Sequence, residues 1–297
     1  MGTGEQLAMI DTGPTVVIPA RNAALTIGRQ LEALSRQIGA DPFHVIVVDN
    51  GSSDDTATIA MKGVCSRFTL EVVHEHRPGI NMARNAGVAK AGEGLILLCD
   101  ADDEVSDVWV RAMVAAQTPK RWLAGVVDYT ALNSNATRQQ WGAPALSDCP
   151  DGDAIGDRTF GCNCGFERAM WAEVGGFDDR LSGIGGDETE MFMRAHTGGY
   201  RPLWVPDAVV AYRLRPGLRI MCRQRFRQGR NQVRMSRLPG GRAGLVLVPG
   251  VGTTWRALGK LVIALPLYVT SPRRYEWLAA FSRHVGRLVG HQSRWPR

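Results

Sequence analysis

Short apolar runs recur through the first hundred residues, and each is followed by a polar stretch carrying apolar residues at helical spacing. Residues 15–18 form the first run, closed by Pro19, and read as a strand. Asn22 is placed to cap a helix in which Leu25, Gly28, Leu31, Leu34 and Ile38 recur. Residues 44–48 are a second strand, closed by Asp49-Asn50-Gly51-Ser52-Ser53, with Ser53 or Asp54 a natural cap for a helix near Thr56. A more exposed third strand covers residues 69–74, and Arg77-Pro78-Gly79 turns the chain into a helix through Asn81, Arg84 and Asn85. Residues 95–99 are apolar throughout, as in a strand buried on both faces. This alternation predicts an α/β layer with mainly parallel strands. Ligands bind outside the carboxyl ends of such strands, which is where Asp49, Arg77 and Asp100 fall.

The fourth run ends in Asp100-Ala101-Asp102-Asp103. Three carboxylates within four residues repel one another unless cations or hydrogen-bond donors lie nearby, and a divalent metal is the simplest remedy. The bland alternative is a solvated acidic turn. No GxGxxG follows the first strand and no GxxxxGK[ST] occurs, which excludes the usual dinucleotide and P-loop phosphate sites. The six cysteines show no CxxC pair or disulfide spacing, and residues 1–11 lack the basic-then-apolar pattern of a signal peptide. Both observations point to a cytoplasmic chain with reduced thiols.

Charge is unevenly distributed. The 297 residues carry a formal net charge of +6, yet residues 208–275 contain thirteen Arg, one Lys and no acid, leaving 21 basic against 29 acidic residues elsewhere. A basic segment on an otherwise acidic chain suits a local phosphate or membrane surface, and argues against a nucleic-acid-binding protein.

Four stretches carry a resemblance. Val17-Ile18-Pro19-Ala20-Arg21-Asn22, Val47-Val48-Asp49-Asn50-Gly51-Ser52-Ser53-Asp54, Asn81-Met82-Ala83-Arg84-Asn85-Ala86-Gly87 and Cys99-Asp100-Ala101-Asp102-Asp103 resemble, in order, the motifs of family-2 glycosyltransferases with the GT-A fold. The likeness continues through Gly161-Cys162-Asn163, Val174-Gly175-Gly176-Phe177-Asp178 and Gly185-Gly186-Asp187-Glu188-Thr189-Glu190, covering roughly residues 14–235. It implies an inverting transferase using a nucleotide-sugar donor, with UDP the expected carrier. Asp49 would accept a hydrogen bond from the base, with Pro19, Ala20 and Asn22 lining the same pocket; Arg84 would face base or phosphate, and Asp100 and Ala101 would meet the nucleotide. A divalent ion, Mg²⁺ or Mn²⁺, would rest on Asp102 and Asp100. Glu188 takes the position of the base that deprotonates the acceptor hydroxyl, and Asp187 is the alternative, because Asp-Glu stands where the pattern has Glu-Asp. Arg213 falls where the family often places a metal-binding histidine, so it could supply part of the metal's charge; Arg213 and Asn163 are candidate phosphate or acceptor contacts.

The fold expected is therefore a single GT-A-type α/β domain over residues 1–237, with a nucleotide-binding half at 14–104 and an acceptor half at 105–237. Residues 238–297 form a basic and apolar helical appendage. Residues 133–158 read as a flexible loop over the acceptor, and residues 218–235 as a helix with an arginine stripe. Residues 245–269 are apolar but broken by Pro, Gly and basic residues, which suits a helix lying on an anionic membrane rather than spanning it. The acceptor would be a hydroxyl-bearing glycan, lipid-linked or small molecule, in cell-surface glycan or glycolipid synthesis at the inner face of the plasma membrane. Two rival readings are a non-catalytic nucleotide-sugar-binding scaffold and a sugar nucleotidyltransferase. The swapped acidic pair favours the first, and the missing glycine-rich loop speaks against the second.

Overall fold

The computed structural model describes residues 13–63, 65–147, 160–181, 187–237, 248–271 and 273–293. Among these residues, eight strands form one sheet: β1 (Thr15–Ala20), β2 (Phe43–Asp49), β3 (Phe68–His74), β4 (Leu95–Cys99), β5 (Glu104–Val105), β6 (Arg121–Asp128), β7 (Asn163–Glu167) and β8 (Arg201–Ala211). Their order is β3-β2-β1-β4-β7-β6-β8-β5; β7 and β5 run antiparallel to their neighbours, and the remaining pairs are parallel.

Strict alternation of side chains divides the apolar strands between two layers. Val16, Ile18, Val45, Val47 and Leu97 pack on one face with α1 (Ile27–Ser35) and α4 (Trp109–Ala116). Val17, Ile46, Val48, Ile96 and Leu98 pack on the other with α3 (Ile80–Lys90) and α7 (Asp187–Thr197). Helix α3 lies close to the sheet because Gly87 carries no side chain; a Cβ there would come within 2.3 Å of Val17. The remaining helices are α2 (Thr56–Met61), α5 (Asn135–Trp141), α6 (Arg168–Val174), α8 (Leu218–Ser236), α9 (Val251–Tyr268) and α10 (Arg274–Gln292).

Local expectations shift in three places. β1 runs on through Pro19 to Ala20, because the pairing with β4 ends at Val17–Leu98 and a residue without N–H is tolerated where the strand has one neighbour. Asn22 does not cap a helix. It adopts φ 51°, and α1 starts only at Ile27, with Leu25 fully out in solvent and Ile38 exposed beyond its end. The segment 133–158 contains α5 and a bridge at Leu146; residues 148–158 lie outside the described ones.

The C-terminal helices add a layer of their own. α8 and α10 cross at glycines, since a Cβ on Gly229 would lie 2.0 Å from the Arg283 carbonyl oxygen and one on Gly286 would lie 2.0 Å from that of Phe226. α9 leans on α10, where Trp277 Nε1 donates to the Leu261 carbonyl at 2.8 Å, and leaves Trp255, Val262, Ile263 and Leu267 exposed. No described helix is long and apolar enough to cross a membrane.

Candidate active site

The carboxyl ends of β1, β2 and β4 open into a cleft of about 1020 Å³. Its rim is laced together by short polar side chains. Asn22 accepts the Ser53 N–H at 2.8 Å through Oδ1 and donates its own N–H to Ser52 Oγ at 3.0 Å. Thr56 Oγ1 accepts the Ala23 N–H at 2.7 Å, so the loops after β1 and β2 form one wall. Pro19, Ala20, Asn22, Asp100 and Ala101 line the cleft as expected from their strand ends. Asp49 is not among the lining residues. It is buried, with Oδ1 accepting the Ser52 N–H at 3.1 Å and Oδ2 3.2 Å from His74 Nδ1, the register partner of Asp49 on β3. Its neighbour Asn50 reaches the cleft and pins the turn before α3, donating to the Glu75 and Arg77 carbonyls and accepting the Gly79 N–H.

The motif on α3 serves two purposes. Asn81 and Asn85 strap the Gly-Gly-Phe-Asp turn, Asn81 donating to the Asp178 carbonyl at 2.9 Å and Asn85 donating to that of Phe177 at 2.8 Å. That turn leads toward α7, which carries Glu188. Arg84, between them, is 2% exposed. Its guanidinium lies 3.8 Å from Asp100 Oδ1 and 3.7 Å from Glu188 Oε2, stacks 5.5 Å from the Phe177 ring centre, and abuts the Cα of Gly161, where a Cβ would be 2.3 Å from Nη2. One buried cation therefore joins the acid after β4 to the acid on α7. Burial pushes the Asp100 carboxyl up to about 6, with Arg84 pulling it back and Asp102 and Glu188 adding to the rise. Glu188 lines the cleft; the side chain of Asp187 lies outside what the structure describes.

The acidic loop is held from behind by α1. Buried Gln30 donates to the Asp100 carbonyl at 3.1 Å and accepts the Val105 N–H at 3.0 Å. Pairing of β5 with the end of β8 then sets the loop beside residues 212–215. Arg213 donates its N–H to Asp103 Oδ1 at 2.8 Å and its Nε to the Asp102 carbonyl at 2.9 Å, and Nη2 lies 3.3 Å from Glu104 Oε1. Arg215 Nη2 lies 3.1 Å from Asp102 Oδ2. Asn163 sits elsewhere. It is wholly buried, accepting from Trp109 Nε1 at 2.8 Å and donating to the Val126 and Ala208 carbonyls, so its amide ties β7 to β6 and β8 and has no face on the cleft.

Among the described residues, those grouped closely enough to hold a metal are Asp100, Asp103 and Cys162, whose ligand atoms lie within 4.8 Å of one another. This set fits a hard ion poorly. Its third member is a thiol pushed well above its ordinary range by burial, whereas Mg²⁺ and Mn²⁺ prefer oxygen. Asp102, the expected ligand, has its carboxylate on Arg215. The buried Asp103 Oδ2 has no hydrogen-bond partner, and burial holds that carboxyl above its ordinary range, so it needs no cation to be neutral.

The sequence profile of glycosyl transferase family 2 matches residues 15–173, the stretch that holds the cleft's first wall, α3 and the acidic loop. The chain belongs to that family. Glycosyltransferase AglE of Haloferax volcanii is 25% identical over 227 residues, covering 74% of this chain and 73% of the relative. A pre-mycofactocin glycosyltransferase of Mycobacterium tuberculosis is 28% identical over 277 residues, covering 84% of this chain and 55% of its own. This chain thus spans about half the length of that relative. Among solved structures, the mannosyltransferase PcManGT of Pyrobaculum calidifontis, in complex with GDP-Man and Mn²⁺, superposes with a TM-score of 0.62 at 17% identity over 94% of this chain and 88% of that one. S. aureus TarS 1–349 in complex with UDP superposes at 0.53 with 16% identity over 92% of this chain and 80% of that one. Both share the GT-A fold with this family-2 glycosyltransferase.

Proposed function

We propose that the protein is an inverting glycosyltransferase that moves a sugar from a nucleotide diphosphate, UDP being the first carrier to test, to a hydroxyl acceptor in cell-surface glycan or glycolipid synthesis. The observation that carries the reading is Arg84, which joins Asp100 to Glu188 within one cleft. Glu188 is the base. It lines the same cleft as the donor-side loops, so a hydroxyl beside the anomeric carbon can pass its proton to Oε2 as the leaving diphosphate departs on the opposite side. The chain's own task is to hold the donor, exclude water and receive the acceptor proton.

A second element of the proposal concerns α9. Its exposed Trp255, Val262, Ile263 and Leu267, with Arg256 and Lys260 on the same helix, support docking on an anionic membrane from the cytoplasmic side, which would bring a lipid-linked acceptor to the cleft. Sedimentation with anionic and with neutral vesicles tests this.

Purified protein is to be incubated with UDP-, TDP- and GDP-sugars and a panel of hydroxyl acceptors, and product configuration read by NMR. Transfer with inversion is expected from one carrier. Glu188→Gln lowers kcat by about 10²–10⁴-fold while nucleotide binding persists. A folded Glu188→Gln protein with full transfer rate refutes the assigned base, and nucleotide binding with no transfer to any acceptor moves the reading to a non-catalytic scaffold.

A further inference from the structure

The acidic loop of the cleft already holds cations that belong to the chain. Arg215 Nη2 lies 3.1 Å from Asp102 Oδ2 although the two residues are 113 positions apart in sequence, and the Arg215 side chain remains 61% exposed at the cleft. Among the described residues, its guanidinium spends Nη2 alone on a protein partner. The backbone that carries it is fixed at three points: the Arg213 N–H on Asp103 Oδ1, the Leu214 N–H on Asn133 Oδ1, and the Arg215 carbonyl on Trp141 Nε1. Behind it, Arg213 Nε donates to the Asp102 carbonyl. A guanidinium on a backbone so held keeps N–H groups available to an anion at the cleft, where a charge-assisted fork suits a diphosphate.

Charge bookkeeping agrees. The described cleft lining carries six arginines against the carboxylates of Asp100, Asp102 and Glu188, a formal surplus of three positive charges with no ion added. That surplus is enough to balance the diphosphate of a nucleotide sugar, and the further charge that develops as it leaves, with no ion present; a divalent cation would enlarge it. An ion seated on Asp102 would also have to displace Arg215 and repel it at close range.

We propose that Arg215, seated on Asp102 and backed by Arg213, binds the donor diphosphate and stabilises its charge in place of a divalent cation, so that the donor site works without metal. The inference rests on the glycosyltransferase reading above. In the transfer, the bond from the anomeric carbon to the diphosphate oxygen breaks and its electron pair stays on that oxygen, which accepts N–H groups of Arg215. The acceptor oxygen forms the new bond to carbon, and its proton goes to Glu188.

Calorimetry of UDP, TDP and GDP binding to the full chain, each in EDTA and in Mn²⁺, tests this. The expected result is one nucleotide binding with affinities within about twofold in the two buffers. Arg215→Ala weakens that binding in EDTA by roughly 10–100-fold, the loss of one or two charge-assisted hydrogen bonds, with Arg215→Lys intermediate because it keeps charge without the fork. Circular dichroism shows whether each variant is folded; Arg215 is exposed enough that its removal opens no core. Binding that needs Mn²⁺, or an Arg215→Ala protein with unchanged affinity in EDTA, overturns this inference and leaves the glycosyltransferase reading standing. Binding of no nucleotide in either buffer overturns both.

Discussion

Gly161→Ala tests whether the cleft depends on the buried guanidinium between its two acids. Glycine is present at 161 because the Arg84 side chain fills the space of a Cβ: Nη2, Cζ and Nη1 would lie 2.3, 2.8 and 2.9 Å away. The tip of an arginine ordinarily yields to such a contact at little cost. Here it has nowhere to go, being 2% exposed and enclosed by Phe177, Asp100 and Glu188. Overpacking of this kind costs about 1–3 kcal/mol, and full removal of the cation from two partly buried carboxylates costs about 3–5 kcal/mol. Gly161→Ala should therefore lose about 2–3 kcal/mol in urea unfolding, and Arg84→Met somewhat more. Transfer activity should fall by more than stability alone explains, because Asp100 and Glu188, the proposed donor contact and the proposed base, lose their common anchor. Gly28→Ala is the control: it lies within α1 with only Ile59 at 3.7 Å, so alanine should be neutral or stabilise by up to about 1 kcal/mol. A Gly161→Ala protein with wild-type stability and turnover would show that Arg84 is not wedged, and the argument for its role would fail.

Two further outcomes follow from the same geometry. Asp100 has a folded pKa raised to about 6 by burial, so the folded state binds the extra proton between the unfolded value and that one; the stabilisation is present at low pH and is lost as pH rises through about 6. Relative to Asp100→Asn, the wild-type protein should thus lose about 2–3 kcal/mol between pH 4 and pH 7 in urea unfolding, and a pH-independent difference would remove the burial argument. At the C-terminus, Gly229→Ala places a methyl 2.0 Å from the Arg283 carbonyl oxygen, which backbone cannot accommodate in place. Limited proteolysis should then cut near α10 while the sheet stays protected, and unchanged protection would mean that α8 and α10 do not cross so closely.

Much of the fold was legible in local pattern. The runs at residues 15–18, 44–48 and 95–99 are strands whose positions beyond Thr15 and His44 are all apolar, because both faces of the sheet are covered. The order of the motifs was legible too: three are strand ends with the small or acidic residues their loops require, and the third is the helix α3. Misreadings arose where a polar side chain had two local uses. Asn22 suits a helix cap, but the loop after β2 lies alongside and takes its oxygen. Gln30, Asn50 and Asn133 gave no signal at all, because each is an ordinary polar residue whose use is set by distant backbone atoms.

What the sequence determined by itself was which segments are strands and helices, which family the chain joins and which acids end the fourth strand. Periodicity and motif chemistry are properties of neighbours in the chain. Tertiary structure alone decided what faces those acids. The antiparallel pairing of β5 with β8 brings Arg213 and Arg215 onto the acidic loop, the packing of α3 against the turn at Phe177 buries Arg84, and the junction of β7 with β6 and β8 consumes Asn163. The reason is that a side chain's partner depends on strand order across the sheet, and strand order is written in no local stretch of residues.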